Sequence, residues 1–389
     1  MLWIAAVGST LILYWIYDGY GRFLQLIGGV WSGGGRPAVS AVGASLPTES
    51  LPTVTVLLTV HNEERVVRRR IENLLACDYP AARFKVLIAS DGSTDATNEI
   101  VRSFGDSRVR LLESPGLGKT ATQNLAMKQI DSELVVFTDA DVEFELQWVR
   151  RVVRCFQDIR VGAVDGRLYY GRPTTADVQA CEGHYWRYEM KLRDLESRLG
   201  ILAVLSGCCF AMRRALFVEM DPAIGEDCIV PLDIVCGRHL VVHEPTALVY
   251  DEFGNDSAVT LRRRIRMTLR NWQGTWTRSQ LLNPFRHPGY AFALWSHKIL
   301  RWLSPVFLLT ATLTSAALLV VQPSLASLAM FGPFAGLFLL AGCHWLADGR
   351  RRILPGSGTA YSFVLANLAF IIGVWRAVTG QQIRAYRNS

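Results

Sequence analysis

No C-x-x-C pair occurs among the eight cysteines of this 389-residue chain. Cys208 and Cys209 are adjacent, a spacing that does not bridge easily, so the cysteines read as reduced thiols of a cytosolic domain. A complete phosphate loop is also missing. "SPGLGKTATQN" (114–124) has Gly118-Lys119-Thr120, but G-x-x-x-x-G-K-[ST] needs glycine five positions before Gly118, where Glu113 stands. The first apolar run lacks both a basic stretch ahead of it and a small-x-small cleavage site, which favours an anchor over a removed signal. No motif interleaves aromatic and basic residues as nucleic-acid binders do, so no nucleic-acid partner is expected. The net charge of +7 needs another partner. Basic clusters at 262–264, 301 and 350–352 lie beside apolar segments, and suit the anionic headgroups of a lipid bilayer.

Charge itself is absent from long stretches. Residues 2–17, 302–321, 323–347 and 359–375 contain no Asp, Glu, Lys or Arg, and half the chain is hydrophobic. Runs near twenty residues match a hydrocarbon core roughly 30 Å thick. They predict one transmembrane segment within 1–31, two more at 302–322 and 324–347, and a transmembrane or re-entrant segment at 359–376. The expected protein is integral to an inner or plasma membrane.

Residues 45–260 differ from these flanks: charged residues are common and short apolar runs alternate with helical spacing. "TVTVLLTV" (53–60), "FKVLIAS" (84–90), "VRLLE" (109–113) and "ELVVFT" (133–138) read as strands, the first β-branched and apolar enough for burial on both faces. Each is followed by a helical pattern; Asn62 is the expected cap of the first helix and Asp95 of the second. The alternation predicts an α/β domain with a mostly parallel, Rossmann-like sheet. Ligands bind at the carboxyl ends of such strands. The residues placed there are His61 to Glu63, Asp91, and Asp139 with Asp141.

Asp139-x-Asp141 offers two hard oxygen ligands, enough for Mg²⁺ or Mn²⁺ when phosphates and water complete the shell. Lys119 and the helix start after Gly118 either form an ordinary turn or neutralise phosphate. Glu226 and Asp227 in "AIGEDCIVPLDI" (223–234) read equally as a helix-capping pair or as a carboxylate base. His239-x-x-x-His243 has a zinc-like spacing only if helical, and "HLVVHEPTALVY" reads as strand. Residues 260–300 are expected to form interfacial amphipathic helices. In "TLRRRIRMTLRNWQGTW" (260–276), Arg263 and Arg266 share a helical face and could also clamp phosphate. Glu143 reads as a helix-start charge.

Taken in order, these pieces resemble the family 2 glycosyltransferases, whose nucleotide-sugar domain has the GT-A fold. The likeness is strongest to their membrane-embedded branch, the cellulose, chitin-oligosaccharide and hyaluronan synthases. It covers residues 50–280 and the arrangement of one span before and three after. The family's P-x-Y-N-E looks like Thr59-Val60-His61-Asn62-Glu63, with Pro and Tyr replaced, and implies donor contacts for Glu63 and His61. Ser90-Asp91-Gly92 keeps one Asp of an Asp pair, implying a donor-base contact for Asp91. Gly118-Lys119 and Asn124 look like the family's Gly-Lys…Asn segment and imply donor-site roles. Asp139 and Asp141 match the D-x-D motif that holds metal and diphosphate. Glu226-Asp227 match the E-D motif, whose Asp is the base. "SGCCFAMRR" (206–214) resembles the acceptor-lining segment and points to Ser206 and Gly207. Arg263-x-x-Arg266-Met267 resembles Q-x-x-R-W, with Gln and Trp replaced, which leaves processivity and acceptor type open.

The resemblance implies an inverting glycosyltransferase that moves a sugar from a nucleotide-sugar donor, expected to be a UDP-sugar, to a polysaccharide or lipid-linked acceptor. Asp227 would be the general base, with metal-assisted departure of the diphosphate. Two other readings remain: a sugar-phosphate nucleotidyltransferase, and a non-catalytic membrane sensor of nucleotide sugar. Nucleotide sugars are cytosolic, so the domain is expected to face the cytoplasm. The basic run at 350–352 agrees with that orientation, whereas Arg384 and Arg387 do not if the last segment spans.

Overall fold

The computed structural model describes residues 1–30, 50–170, 184–251, 257–347 and 354–382. The basic run at 350–352, Arg384 and Arg387, on which orientation was argued, lie outside the described residues. The chain divides into two compact units. A sheet unit is built on residues 24–253 and 273–293, and a helical unit on residues 1–23, 254–272 and 294–381.

In the sheet unit, eight strands form one sheet in the order β3-β2-β1-β4-β7-β6-β8-β5. These are β1 Val54–Val60, β2 Phe84–Asp91, β3 Val109–Ser114, β4 Leu134–Thr138, β5 Val142–Phe144, β6 Val161–Tyr170, β7 Cys209–Arg213 and β8 Leu240–Asp251. The first four are the strands expected from sequence, and they pair in parallel. Every residue of β1 and β4 is buried. That is why their sequences are largely apolar, with threonine the one polar residue type, rather than alternating, and each buried Val or Leu contributes about 1.5–3 kcal/mol. The other half is mixed: β7 runs antiparallel to β4 and to β6, β8 parallel to β6, and β5 antiparallel to β8. Because β7 runs against β4, the residues entering β7 reach the same sheet edge as the residues leaving β4. Thr138 pairs with Cys209 at that edge.

Helices pack between the strands. α3 Val67–Leu75 buries Val67, Arg70, Ile71 and Leu74, the i, i+3, i+4, i+7 set of one face. α4 (Thr97–Arg102) and α5 (Lys119–Met127) follow β2 and β3, and α6 (Trp148–Cys155) follows β5. Trp148, Val149, Val152 and Val153 of α6 are buried, as their spacing predicts. α7 (His184–Arg198) precedes β7, and α8 (Glu226–Cys236) precedes β8. Two expectations change here. Asn62 does not cap α3, which starts after Val66 without a side-chain cap. Asn62 instead adopts φ 57° and its Oδ1 accepts Thr94 N–H at 2.8 Å, tying the β1 and β2 exits together. Glu143 lies on β5, not at a helix start, and pairs with Arg69 at 2.8 Å. His243 lies on strand β8, where no helical four-residue spacing with His239 exists.

The helical unit contains α1 (Leu2–Tyr14), most of α9 (Ser257–Thr277), α11 (Ser304–Val321), α12 (Leu325–Ala347) and α13 (Ser357–Val378); α2 (Tyr20–Val30), the short α10 (Pro288–Ala293) and brief helical turns such as Leu300–Trp302 lie between them along the chain. Among the described residues, four helical stretches, Leu2–Gly29 and α11 to α13, are long and apolar enough to cross a membrane. α13 is one unbroken helix of 22 residues. Leu13, Leu308, Ala311 and Phe334 form an apolar cluster in this unit. Beside it, Tyr17 Oη and Ser304 Oγ lie 2.8 Å apart, and Ser304 Oγ donates to Asn367 Oδ1 at 2.8 Å. The expected 260–300 segment is divided: residues 260–272 count with the helical unit and 273–293 with the sheet. Gly274 explains the second part, since a Cβ there would lie 3.0 Å from the Cys228 carbonyl oxygen of α8.

Candidate active site

The exits of β1, β2 and β4 and the entry to β7 bring polar residues to one edge of the sheet. His61 Nδ1 donates to the Asp91 carbonyl oxygen at 2.8 Å, locking the first two exits. The Asp91 side chain is buried and turned toward the next loop. Its Oδ1 accepts Gly118 N–H (3.0 Å), Thr122 Oγ1 (2.8 Å) and Ser114 Oγ (3.2 Å). Gly92 makes this possible: its φ is 69° and a Cβ would sit 2.9 Å from Gly116 backbone. Asp91 therefore shapes the loop from which α5 begins at Lys119.

Lys119 is the centre of the arrangement. Its Nζ lies 2.6 Å from Asp139 Oδ1 and 2.6 Å from Glu226 Oε1, with the lysine side chain 12% exposed. Asp139 follows β4 directly. Its own backbone N–H donates to the Cys208 carbonyl (3.3 Å). Burial pushes the Asp139 carboxyl up from the ordinary range; Lys119 opposes this, while Asp141 and Glu226 add to it. Burial, followed by Asp141, Asp139 and Asp95, pushes Glu63 up to about 7. Glu226 and Asp227 form the first turn of α8, where the helix dipole favours negative charge. Gly207 faces this pair: a Cβ there would lie 3.0 Å from Asp227 Cγ and Oδ2.

Glu63, Lys119, Asp139, Asp141, Gly207, Glu226 and Asp227 thus share this edge. The remaining expected residues have other occupations. Asn124 donates through Nδ2 to the Met220 carbonyl (2.8 Å) and accepts Met220 N–H at Oδ1 (3.1 Å), so its amide braces α5 against the segment before α8. Ser206 is buried in an ionic network. Its N–H and Oγ donate to Asp165 Oδ2 (both 3.1 Å), and Arg193 Nη1 donates to Ser206 Oγ (2.6 Å). Arg193 also bonds Asp165 Oδ2 (2.9 Å) and Glu189 (3.2 Å), and His243 Nδ1 lies 2.7 Å from Asp165 Oδ1. Ser206 therefore anchors the segment whose next residue, Gly207, meets Asp227. Arg263 and Arg266 lie on α9, counted with the helical unit.

Arg70 escaped the sequence reading. It is 1% exposed, donates to the Asp139 carbonyl oxygen (3.2 Å) and Thr138 Oγ1 (2.6 Å), and stacks over the Phe144 ring. Burial lowers its pKa to about 10. Its position on the α3 face with Val67, Ile71 and Leu74 was the available signal.

The donor set fits a hard divalent ion only in part on its own. Asp139 and Asp141 supply carboxylate oxygens in an edge where acidic groups outnumber Lys119. Among the described residues, however, no group of three His, Cys, Asp or Glu is arranged to hold a metal. A metal here would need further oxygens from a bound phosphate and water, as Mg²⁺ usually does.

Residues 55–220 match the family model described as glycosyl transferase family 2. The chain is similar to glycosyltransferase AglE of Haloferax volcanii, 30% identical over 147 residues, covering 37% of this chain and 48% of that protein. It is also similar to the probable glycosyltransferase YdaM of Bacillus subtilis, 23% identical over 241 residues, covering 56% and 55%. The matched region spans about half the length of these two relatives. Among solved structures, the mannosyltransferase PcManGT from Pyrobaculum calidifontis, in complex with GDP-Man and Mn²⁺, superposes with a TM-score of 0.68 at 20% identity, covering 97% of this chain and 96% of that one. This likeness shows the fold: a GT-A-type, mostly parallel sheet domain together with apolar helices.

Proposed function

We propose, from the glycosyl transferase family 2 domain at residues 55–220, that the protein is a membrane-bound inverting glycosyltransferase. It moves a sugar from a nucleotide-sugar donor, a UDP-sugar in this reading, to a polysaccharide or lipid-linked acceptor. The observation that most supports this is the Lys119 bridge between Asp139 and Glu226, with Gly207 against Asp227 at the same sheet edge. It joins a diphosphate-type site to a carboxylate pair.

In this mechanism Asp227 takes the proton from an acceptor hydroxyl. The acceptor oxygen forms a bond to the sugar C1 while the bond from C1 to the diphosphate oxygen breaks, so configuration inverts and the nucleoside diphosphate leaves. A Mg²⁺ or Mn²⁺ ion held by Asp139 and Asp141 would supply charge stabilisation for the leaving diphosphate. Lys119 adds a positive charge at the same edge of the sheet. Glu63 and His61 border the donor, with Asp91 holding the loop that presents Lys119. Arg70, Asn124 and Ser206 act through neighbours: Arg70 fixes the Asp139 backbone, Asn124 braces α5, and Ser206 anchors Gly207. In this reading the four apolar stretches cross the membrane, and the sheet unit faces the cytosolic pool of nucleotide sugars.

Replacing Asp227 by Asn tests the assignment. General-base loss is expected to lower transfer by about 10² to 10⁴-fold, with nucleotide binding nearly intact. Turnover at the wild-type rate in this variant would overturn it.

A further inference from the structure

Lys119 contacts two carboxylates that belong to different halves of the proposed reaction. Asp139 belongs with the donor diphosphate, and Glu226 adjoins the proposed base. Both distances are 2.6 Å, which is short for a charge-assisted contact. The backbone that carries Lys119 is fixed, because the start of α5 is tied on both sides, so only the side chain is left to move. Gly118 N–H is held by Asp91, and Thr120 Oγ1 donates to the Ile224 carbonyl at 3.1 Å, two residues before Glu226. The Glu226 side chain is only 4% exposed, so water offers it little alternative to the ammonium.

We infer that Lys119 is a resident counter-cation. In the ligand-free protein its ammonium takes the electrostatic place that a divalent ion takes when donor is bound, and it passes from the carboxylates to the diphosphate as the donor loads. This rests on the glycosyltransferase reading and adds to it a link between donor loading and the Glu226-Asp227 pair. The reasoning is one of competing charge. An ammonium against Asp139 repels a divalent ion seeking the same carboxylate. A diphosphate removes that obstacle by attracting the ammonium to itself. Metal and nucleotide then strengthen each other's binding, and the coupling is reciprocal. Departure of the ammonium also changes the charge beside Glu226, so the acceptor side senses that the donor is in place.

The test is calorimetric titration of Mn²⁺ into the full-length protein in lipid nanodiscs at pH 8, with and without UDP. Wild type is compared with Lys119→Met, Lys119→Gln and Lys119→Arg. Gln keeps an N–H donor for the two carboxylates and covers the case in which the Met variant does not fold. Without nucleotide, Mn²⁺ is expected to bind the Met and Gln variants about fivefold or more tightly than wild type. UDP is expected to tighten Mn²⁺ binding less in these variants than in wild type, while Arg behaves as wild type does. Unchanged or weaker Mn²⁺ binding in both neutral variants, or an unchanged UDP effect, overturns the inference and leaves the transferase reading standing. A wild-type protein that binds Mn²⁺ with none of UDP, GDP or their sugars overturns the transferase reading itself.

Discussion

Replacing Gly207 by Ala places one methyl group against the proposed base. The Gly207 φ lies outside the left-handed region, so alanine meets no backbone strain and the new contact is the whole perturbation. The added Cβ would stand 3.0 Å from Asp227 Cγ and Oδ2 and 3.2 Å from its Cβ. Carbon contacts settle near 3.5 Å or beyond, so the carboxylate must retreat by roughly half an ångström. A shift of about 1 Å in a reacting group costs on the order of 10² in rate, so half of that gives about tenfold, or about 1.4 kcal/mol of barrier. Overpacking adds about 1 kcal/mol of lost stability, which leaves the protein folded. The assay is nucleoside diphosphate release at saturating donor, alongside UDP titration and thermal unfolding. A tenfold fall in kcat with UDP affinity within twofold of wild type is expected. An unchanged kcat, or a loss that follows UDP affinity, refutes the placement of Asp227 as the reacting base.

Arg70→Met leaves the buried Asp139 carbonyl and Thr138 hydroxyl without their guanidinium donor, at a cost of about 2–4 kcal/mol. Its thermal midpoint is expected to fall and its Mn²⁺ affinity in the presence of UDP to weaken; a wild-type melting curve would contradict this. Glu63→Gln removes a carboxyl that burial, Asp141 and Asp139 push up to about 7. A carboxyl raised in the folded state binds its proton more tightly there than in the unfolded chain. Its contribution is therefore most favourable below the unfolded value near 4.5, declines as pH rises through 4.5 to 7, and is constant above. Between pH 5 and 8 the Gln variant is expected to lose less thermal stability than wild type, and parallel melting profiles would refute the assignment.

The parallel half of the sheet was legible because its inner strands β1 and β4 are buried throughout and so read as short, largely apolar runs. β1, β2, β3 and β4 each start or end within a residue of the expected runs. The mixed half was less visible. β5 has three residues, and β7 was read only as an acceptor-lining segment, since "CFAMR" is too short to separate strand from loop by period. The acidic strand exits were legible as a set, whereas the individual partners were not. Lys119 meets Glu226 across more than a hundred positions, and Asn124 meets Met220 across 96, separations that no local spacing encodes. Asn124 and Ser206 looked like ligand contacts from their motifs, yet both are spent on protein partners because buried polar groups must be satisfied. Arg70 sat in a run of three arginines, and only its helical phase with Val67 and Ile71 distinguished it.

The most direct test of the central claim is purified full-length protein in nanodiscs with a panel of radiolabelled UDP- and GDP-sugars, a lipid and glycan acceptor mixture, and Mn²⁺ or Mg²⁺. Both the labelled product and the released nucleotide are measured. The account predicts label moving to an acceptor, one nucleoside diphosphate released for each sugar transferred, and loss of both in Asp227→Asn. Release of pyrophosphate, or nucleotide-sugar binding with no transfer under any of these conditions, would contradict it.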